Sequence, residues 1–261
     1  MFALMRRSLI QSDIAVIGVI QEFIDRCRRL TSQAELHALL EDIARELGFL
    51  YFALISHVDL RDKKPWIINL NNYPQPWAEY FIRNALYRID PVVRTCFCTN
   101  AAFAWSEMHR HIYLNAQHRD IVARAACEGV ANGLTIPGCV VGEYSGSCSF
   151  ATPRKGSVEM AHLMACQLIG TFAFEAARRL VKDLAPLLTP QLSRRQRECA
   201  VLAGRGMKAQ AIADDLDLSA KTVSNYLDGA RRRYHVHSCE QLLVHALLNG
   251  EISLIELDSR R

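Results

Sequence analysis

The chain has 261 residues, with 31 Lys+Arg against 27 Asp+Glu for a formal net charge of +4; it is 50% hydrophobic and 22% charged. Intrinsic disorder needs low hydrophobicity and high net charge, so it is excluded, and no chain-wide excess of cations announces a nucleic-acid partner. The length suits two domains of about 100–200 residues each, enough chain to bury a sizeable core.

At the start, Arg6 and Arg7 precede apolar residues in the manner of a signal sequence, but Gln11, Ser12 and Asp13 break the run and no small-residue cleavage site follows. No uninterrupted apolar stretch reaches about 18 residues, so no membrane span is expected. From Ile14 to Arg29, Val16, Ile17, Ile20, Phe23 and Ile24 recur at helical spacing. Ser32 opens a second helix with Glu35 three residues on as a capping box, an apolar face through Leu36, Leu39, Leu40, Ile43 and Leu47, and Gly48 as its stop. Phe49 to Val58 is rich in aromatic and β-branched residues and predicts a strand. Arg61 to Lys64 reads as a polar turn, Trp66 to Leu70 as a second strand, and Pro74 to about Leu86 as a helix. Two strand-like runs follow between Gly133 and Thr152, around a turn at Gly142 to Gly146. Ser157 to Asp183 predicts a long helix with an apolar face through Met160, Leu163, Met164, Leu168 and Phe172.

Pro186 and Pro190 bracket a break, after which no strand signal remains. Ser193 caps a helix to about Ala203, ended by Gly204 and Gly206. A second helix spans about Ala209 to Leu216, Asp217 and Leu218 make a short turn, and Ser219 caps a third from Ala220 to Tyr234. A fourth, Glu240 to Leu248, has the character of a packing or dimer helix. The predicted fold class is α+β: an N-terminal α/β/α sandwich with an antiparallel sheet (residues 1–185), a linker (186–191) and a C-terminal all-α, four-helix helix-turn-helix domain (192–261).

The chain holds 9 cysteines, an odd number with no C-x-x-C pair. Cys96 and Cys98 lack companions for a zinc site, and the rest read as reduced, buried thiols of a cytoplasmic protein with no metal. There is no Gly-rich phosphate loop, no G-x-S-x-G elbow and no H-E-x-x-H, and the histidines are scattered, so an enzyme is not expected.

A helix that reads the major groove needs an apolar face inward and a polar, cationic face outward. In the third C-terminal helix Val223, Leu227 and Ala230 face in, while Lys221, Ser224, Asn225, Asp228, Arg231 and Arg232 face out. Arg194, Arg195 and Arg197 on the first helix suit phosphates rather than bases. By itself the Arg231–Arg233 run is an ordinary cationic helix end. L-S-x-R-x-x-E at 192–198, Gly206, I-A-x-x-L-x-L-S at 212–219 and Thr222-Val223 together resemble the DNA-binding domain of LuxR-type transcription regulators. The resemblance implies DNA contacts by Arg194, Arg195, Lys221, Thr222, Ser224, Asn225, Arg231 and Arg232.

In the first domain, Y-P-x-x-W at 73–77, D-P-V at 90–92, Trp105 in F-A-W-S-E, and G-x-T-x-P at 133–137 together resemble the autoinducer-binding domain of quorum-sensing regulators. Their separations match the family as well: 13 residues from Trp77 to Asp90, 15 to Trp105 and 28 to Gly133. Singly, a buried Trp is core, Asp-Pro is a turn or cap, and Gly133 a tight backbone. Together they imply a site for an acyl-homoserine lactone, formed by Tyr73, Trp77, Phe81, Asp90, Trp105, Gly133 and Ser149. The chemistry agrees: an indole donates to a lactone carbonyl, a carboxylate accepts an amide N–H, hydroxyls of Tyr73 and Ser149 reach an acyl carbonyl, and Trp105 packs on the ring. Phe81 stands where the family often has Tyr, which makes the tail side more apolar and points to a longer, branched or aryl acyl group. The expected protein has no cofactor and acts as a homodimer on an inverted repeat in double-stranded promoter DNA, with RNA polymerase as a further partner and no membrane. The alternative is a solo regulator of the same fold that answers a non-lactone molecule or needs no ligand.

Overall fold

A computed structural model describes residues 17–62, 64–140, 143–154, 160–182 and 191–258. The readings on residues 1–16, on Gly142, on Ser157 and on Pro186 and Pro190 lie outside the described residues, as does the side chain of Met160. The chain divides into two compact units, one carrying the elements through the long helix and one carrying those after it.

In the first unit, helix α1 (17–29) precedes α2 (Gln33–Glu46). Ser32 caps α2 by accepting from Glu35 N at 3.2 Å, but the Glu35 carboxylate reaches Thr31 N at 2.8 Å, so the capping box closes one residue further back than expected. Strands β1 (Tyr51–Ser56) and β2 (Asn69–Asn71) are shorter than predicted and shifted, because the loop between them folds on Asp59. Asp59 accepts from Arg61, from Arg88 at 2.9 Å and from the Tyr87 hydroxyl, which holds its carboxyl well below the usual carboxylate range. Helix α3 (Gln75–Arg83) stops short of Leu86, as Ala85 turns left-handed (φ 51°) into a 3₁₀ turn at Leu86–Arg88.

Residues 91–131, for which no elements are expected from the sequence, form α4 (Pro91–Cys96), β3 (Phe103–Ala104), a 3₁₀ turn at Trp105–Arg110 and α5 (Ala116–Cys127). Strands β4 (Asn132–Gly138) and β5 (Gly146–Thr152) then complete a five-stranded sheet of order β2-β1-β5-β4-β3, antiparallel at every step. Helix α6 (Met160–Lys182) follows.

Strand alternation divides the sheet chemically. Phe52, Leu54, Leu134, Ile136, Cys148 and Phe150 point to one face, where they form the main core with α1, α2 and α6. Ala53, Ile55, Thr135, Ser147, Ser149 and Ala151 point to the other, under α3, α4 and α5. This is the expected α/β/α sandwich, with bulky residues on one face and small ones on the other. Helix α6 corrects the expected apolar face in part: Leu163 and Phe172 pack against the core, and Cys166, Ile169, Ala173, Phe174 and Ala177 are among its buried positions, whereas Met164 (67% exposed) and Leu168 (46%) face outward. The small inward residues let the helix lie close on the sheet; a Cβ on Gly170 would stand 2.8 Å from Ile136.

The second unit contains α7 (Arg194–Gly204), α8 (Ala209–Leu216), α9 (Ala220–Arg233) and α10 (Cys239–Leu248), plus a short fifth helix α11 (Leu254–Leu257) that was not anticipated. Cys199, Leu202, Ile212, Ala213 and Val223 pack together at the α7–α8–α9 junction. No described helix is long and apolar enough to cross a membrane. All nine cysteines are free thiols; Cys98, Cys127 and Cys139 are exposed rather than buried as expected, since each lies at the edge of a helix or strand. Among the described residues no cluster of His, Cys, Asp or Glu could hold a metal ion.

Candidate functional site

Because the small face of the sheet cannot fill the space below α3, α4 and α5, a cavity remains there. Its volume, as space open to the centre of a water molecule, is about 90 Å³, several times the roughly 10–15 Å³ one water needs. Tyr73, Trp77, Phe81, Asp90, Trp105 and Ser149 all line it. Aliphatic residues complete the wall, among them Ala53, Ile55, Leu60, Ile82, Ile121 and Val130.

Helix α3 presents Trp77, 4% exposed, and Phe81 one turn later; their rings lie 5.6 Å apart. The neighbouring Tyr80 turns away, with the Arg124 guanidinium 3.7 Å above its ring. Trp77 lines the cavity, and its indole N–H has no hydrogen-bond partner among the described residues. Asp90 is the N-cap of α4 and accepts from Val93 N at 3.3 Å. Pro91 follows at the first helical position, where its fixed φ suits the helix. Asp90 therefore combines a cap with a place in the cavity. Burial raises its pKa to about 6, against the backbone amides of Val93 and Val92, which lower it.

A chain of side-chain hydrogen bonds crosses the floor. Trp105 Nε1 donates to Thr135 Oγ1 at 2.8 Å, and Thr135 Oγ1 lies 2.8 Å from Ser149 Oγ. Thr135 and Ser149 are direct partners across β4 and β5. The Tyr73 hydroxyl stands near Ser149, and burial pushes its pKa up, followed in effect by the charge of Asp90. With its N–H engaged by Thr135, Trp105 offers the cavity only its ring. Thr135 was missed as a site residue although it sits inside the quoted G-x-T-x-P motif; an inward Thr one pleat from Trp105's strand was the available signal.

Gly133 departs from the expectation. It does not line the cavity but lies beneath Trp105: a Cβ there would stand 2.4 Å from Phe150 O and 3.0 Å from the Trp105 ring. Its role is to admit the indole.

In the second unit, Ser193 and Gln196 form a capping box at α7, and Ser219 Oγ accepts from Thr222 N at 3.0 Å to start α9. Three residues separate α8 from α9, with Asp217 left-handed (φ 53°). Lys221, Ser224, Asn225 and Arg232 are exposed along one side of α9. Thr222 is half-buried and engaged with Ser219, and Ser224 Oγ donates back to Ala220 O at 3.0 Å. Arg231 pairs with Asp228, and Arg194 and Arg195 each hold Glu198 at 2.9 Å. Arg197 corrects the expectation of a third phosphate contact: it is tied to Glu251 O at 2.7 Å and to Glu256, and so anchors α11.

Two family descriptions match the chain: "Autoinducer binding domain" over residues 32–177 and "Bacterial regulatory proteins, luxR family" over residues 190–246. Similar curated proteins include the transcriptional activator protein VanR of Vibrio anguillarum, 25% identical over 90% of this chain and 98% of its own. The HTH-type quorum sensing-dependent transcriptional regulator RpaR of Rhodopseudomonas palustris is 25% identical over 89% and 94%. Among solved structures, Escherichia coli SdiA superposes with a TM-score of 0.63 at 18% identity, covering 90% of this chain and 98% of that one. SdiA in complex with octanoyl-rac-glycerol gives the same TM-score at 20% identity, covering 91% and 96%.

Proposed function

The chain belongs to the LuxR family of autoinducer-binding transcription regulators, and from that premise we propose that its signal is an N-acyl-homoserine lactone enclosed in the N-terminal cavity. The observation that carries the reading is Asp90, a carboxylate only 8% exposed in a mostly apolar cavity that also presents the unpartnered Trp77 N–H. A buried carboxylate calls for a donor. The ligand's amide N–H supplies one, and its lactone carbonyl accepts from Trp77. Tyr73 and Ser149 serve the acyl carbonyl, Trp105 covers the lactone ring, and Phe81 leaves the tail side apolar, which suits a longer, branched or aryl chain. The ligand thereby becomes part of the core, offsets the burial of Asp90 and fixes the fold.

The liganded protein acts in the cytoplasm as a homodimer. The exposed pairs Met164/Leu168 on α6 and Val244/Leu248 on α10, each at i,i+4 spacing, offer apolar surface for pairing. Helix α9 enters the major groove, with Lys221, Ser224 and Asn225 toward the bases and Thr222 at the rim. Arg194, Arg195, Arg231 and Arg232 track phosphates, and two half-sites make an inverted repeat. RNA polymerase is the partner through which bound dimers act. The test is expression and promoter binding with and without an added N-acyl-homoserine lactone; soluble ligand-free protein that binds the same DNA equally well refutes the dependence. A second reading is an acyl glycerol, favoured by the complex that SdiA forms with octanoyl-rac-glycerol. Competition between the two ligands for the same cavity decides between them.

A further inference from the structure

The proposed contacts use one end of the cavity floor and leave a polar group at the other. Ser147 lies two residues from Ser149 on the same face of β5, is 2% exposed and lines the cavity opposite Ile55. A hydroxyl among aliphatic neighbours is a costly choice unless it is paired. Behind it, His57 Nε2 stands 3.0 Å from Ser147 Oγ. The other ring nitrogen, Nδ1, is buried without a hydrogen-bond partner among the described residues, and the Phe97 ring lies 5.6 Å from the imidazole.

These contacts fix the hydrogens. Burial lowers the His57 pKa to about 4, so the ring is neutral and carries one proton. An unpaired ring nitrogen costs less as a lone pair than as an N–H, so the proton sits on Nε2 and is donated to Ser147. Ser147 keeps its own O–H proton and one lone pair. The competing partner is the thiol of buried Cys96, a weak acceptor.

We propose that Ser147, positioned by His57, is a second polar subsite that selects signals whose acyl tail carries a hydroxyl or keto oxygen, about 6–7 Å beyond the carbonyl held at Ser149 by the rise of two strand residues. The inference rests on the lactone reading of the cavity, with the carbonyl end at Ser149. Ser147 contacts the ligand; His57 is a positioning residue that acts through it.

The experiment is competitive binding to the full-length protein, using acyl-homoserine lactones of one chain length, unsubstituted or with a single hydroxyl moved along the tail. The expected preference peaks at the position about 6–7 Å from the amide carbonyl, by about 2- to 10-fold, the worth of one neutral hydrogen bond. In Ser147→Ala and His57→Leu that ratio falls to about one, and His57→Gln, which keeps a donor near the same place, restores it. The readout is a ratio within one variant, so it is insensitive to a general loss of stability; where Ser147→Ala retains no ligand, the two His57 variants decide. Equal binding of all positions by the wild type, or a preference that survives the substitutions, overturns the subsite alone. Binding of none of the lactones overturns the proposed function and the subsite with it.

Discussion

Asp90→Asn separates what the carboxylate does for the fold from what it does for the signal. Burial raises the Asp90 pKa from the usual 3.8 to about 6. A raised acid favours its protonated form in the folded state, so stability is full below about pH 4 and is lost as pH rises through about 6. At 1.36 kcal/mol per pH unit the ligand-free protein gives up about 3 kcal/mol by pH 7.5. Asparagine removes the charge and keeps the cap, because Asn is as good an N-cap as Asp and can still accept from Val93 N. Ligand-free Asp90→Asn is therefore expected to be more stable than wild type at pH 7.5. The gain corresponds to a rise of about 6–12 °C in the melting temperature at the 2–4 °C per kcal/mol usual for a domain of this size. Its affinity for an acyl-homoserine lactone is expected to fall by tenfold or more, since a hydrogen bond to a charged group contributes about 1.5–3 kcal/mol. Thermal melts of both proteins from pH 4 to 8, without ligand, check the claim. A ligand-free Asp90→Asn that melts lower than wild type at pH 7.5, or an unaltered pH slope, refutes the reasoning.

Other perturbations probe the supporting structure. Thr135→Val keeps the shape but leaves the Trp105 N–H and Ser149 without their shared partner; it is expected to cost about 1–3 kcal/mol, read as a lower unfolding midpoint of the ligand-loaded protein. Gly133→Ala drives a Cβ into Phe150 O and the Trp105 ring; overpacking of about 1–3 kcal/mol and a displaced indole, visible as a shifted tryptophan emission, are expected. Lys221→Ala and Asn225→Ala are expected to weaken specific DNA binding while ligand retention is unchanged, measured by gel shift and mass spectrometry. Arg195→Ala is expected to weaken binding uniformly across sequences and to lower the salt slope by somewhat less than one, because Glu198 already shares its charge.

Much of this site was legible because its chemistry needs particular side chains at fixed separations. Trp77, Asp90 and Trp105 lie far apart in sequence, yet the structure places them around one cavity. Periodicity located the four expected C-terminal helices closely, and three of them begin at a serine cap. It failed where neighbours decide. Residues 91–131 form short elements whose register depends on the sheet they pack against, and a two-residue strand such as β3 has no pattern of its own. On α6 many inward positions are alanines and a cysteine beside Ile169 and Phe174, so two of the larger apolar residues, Met164 and Leu168, marked the wrong side. Gly133 was read as part of the site although it only makes room for Trp105, and Thr135 was overlooked because its importance is a contact across strands.

Native mass spectrometry of the full-length protein, purified from cells supplied with an N-acyl-homoserine lactone, tests the central claim most directly. The account predicts one lactone retained per chain by the wild type and little or none by Asp90→Asn purified in the same way. A wild-type protein that folds without added mass, or an Asp90→Asn protein that retains the lactone equally well, contradicts it.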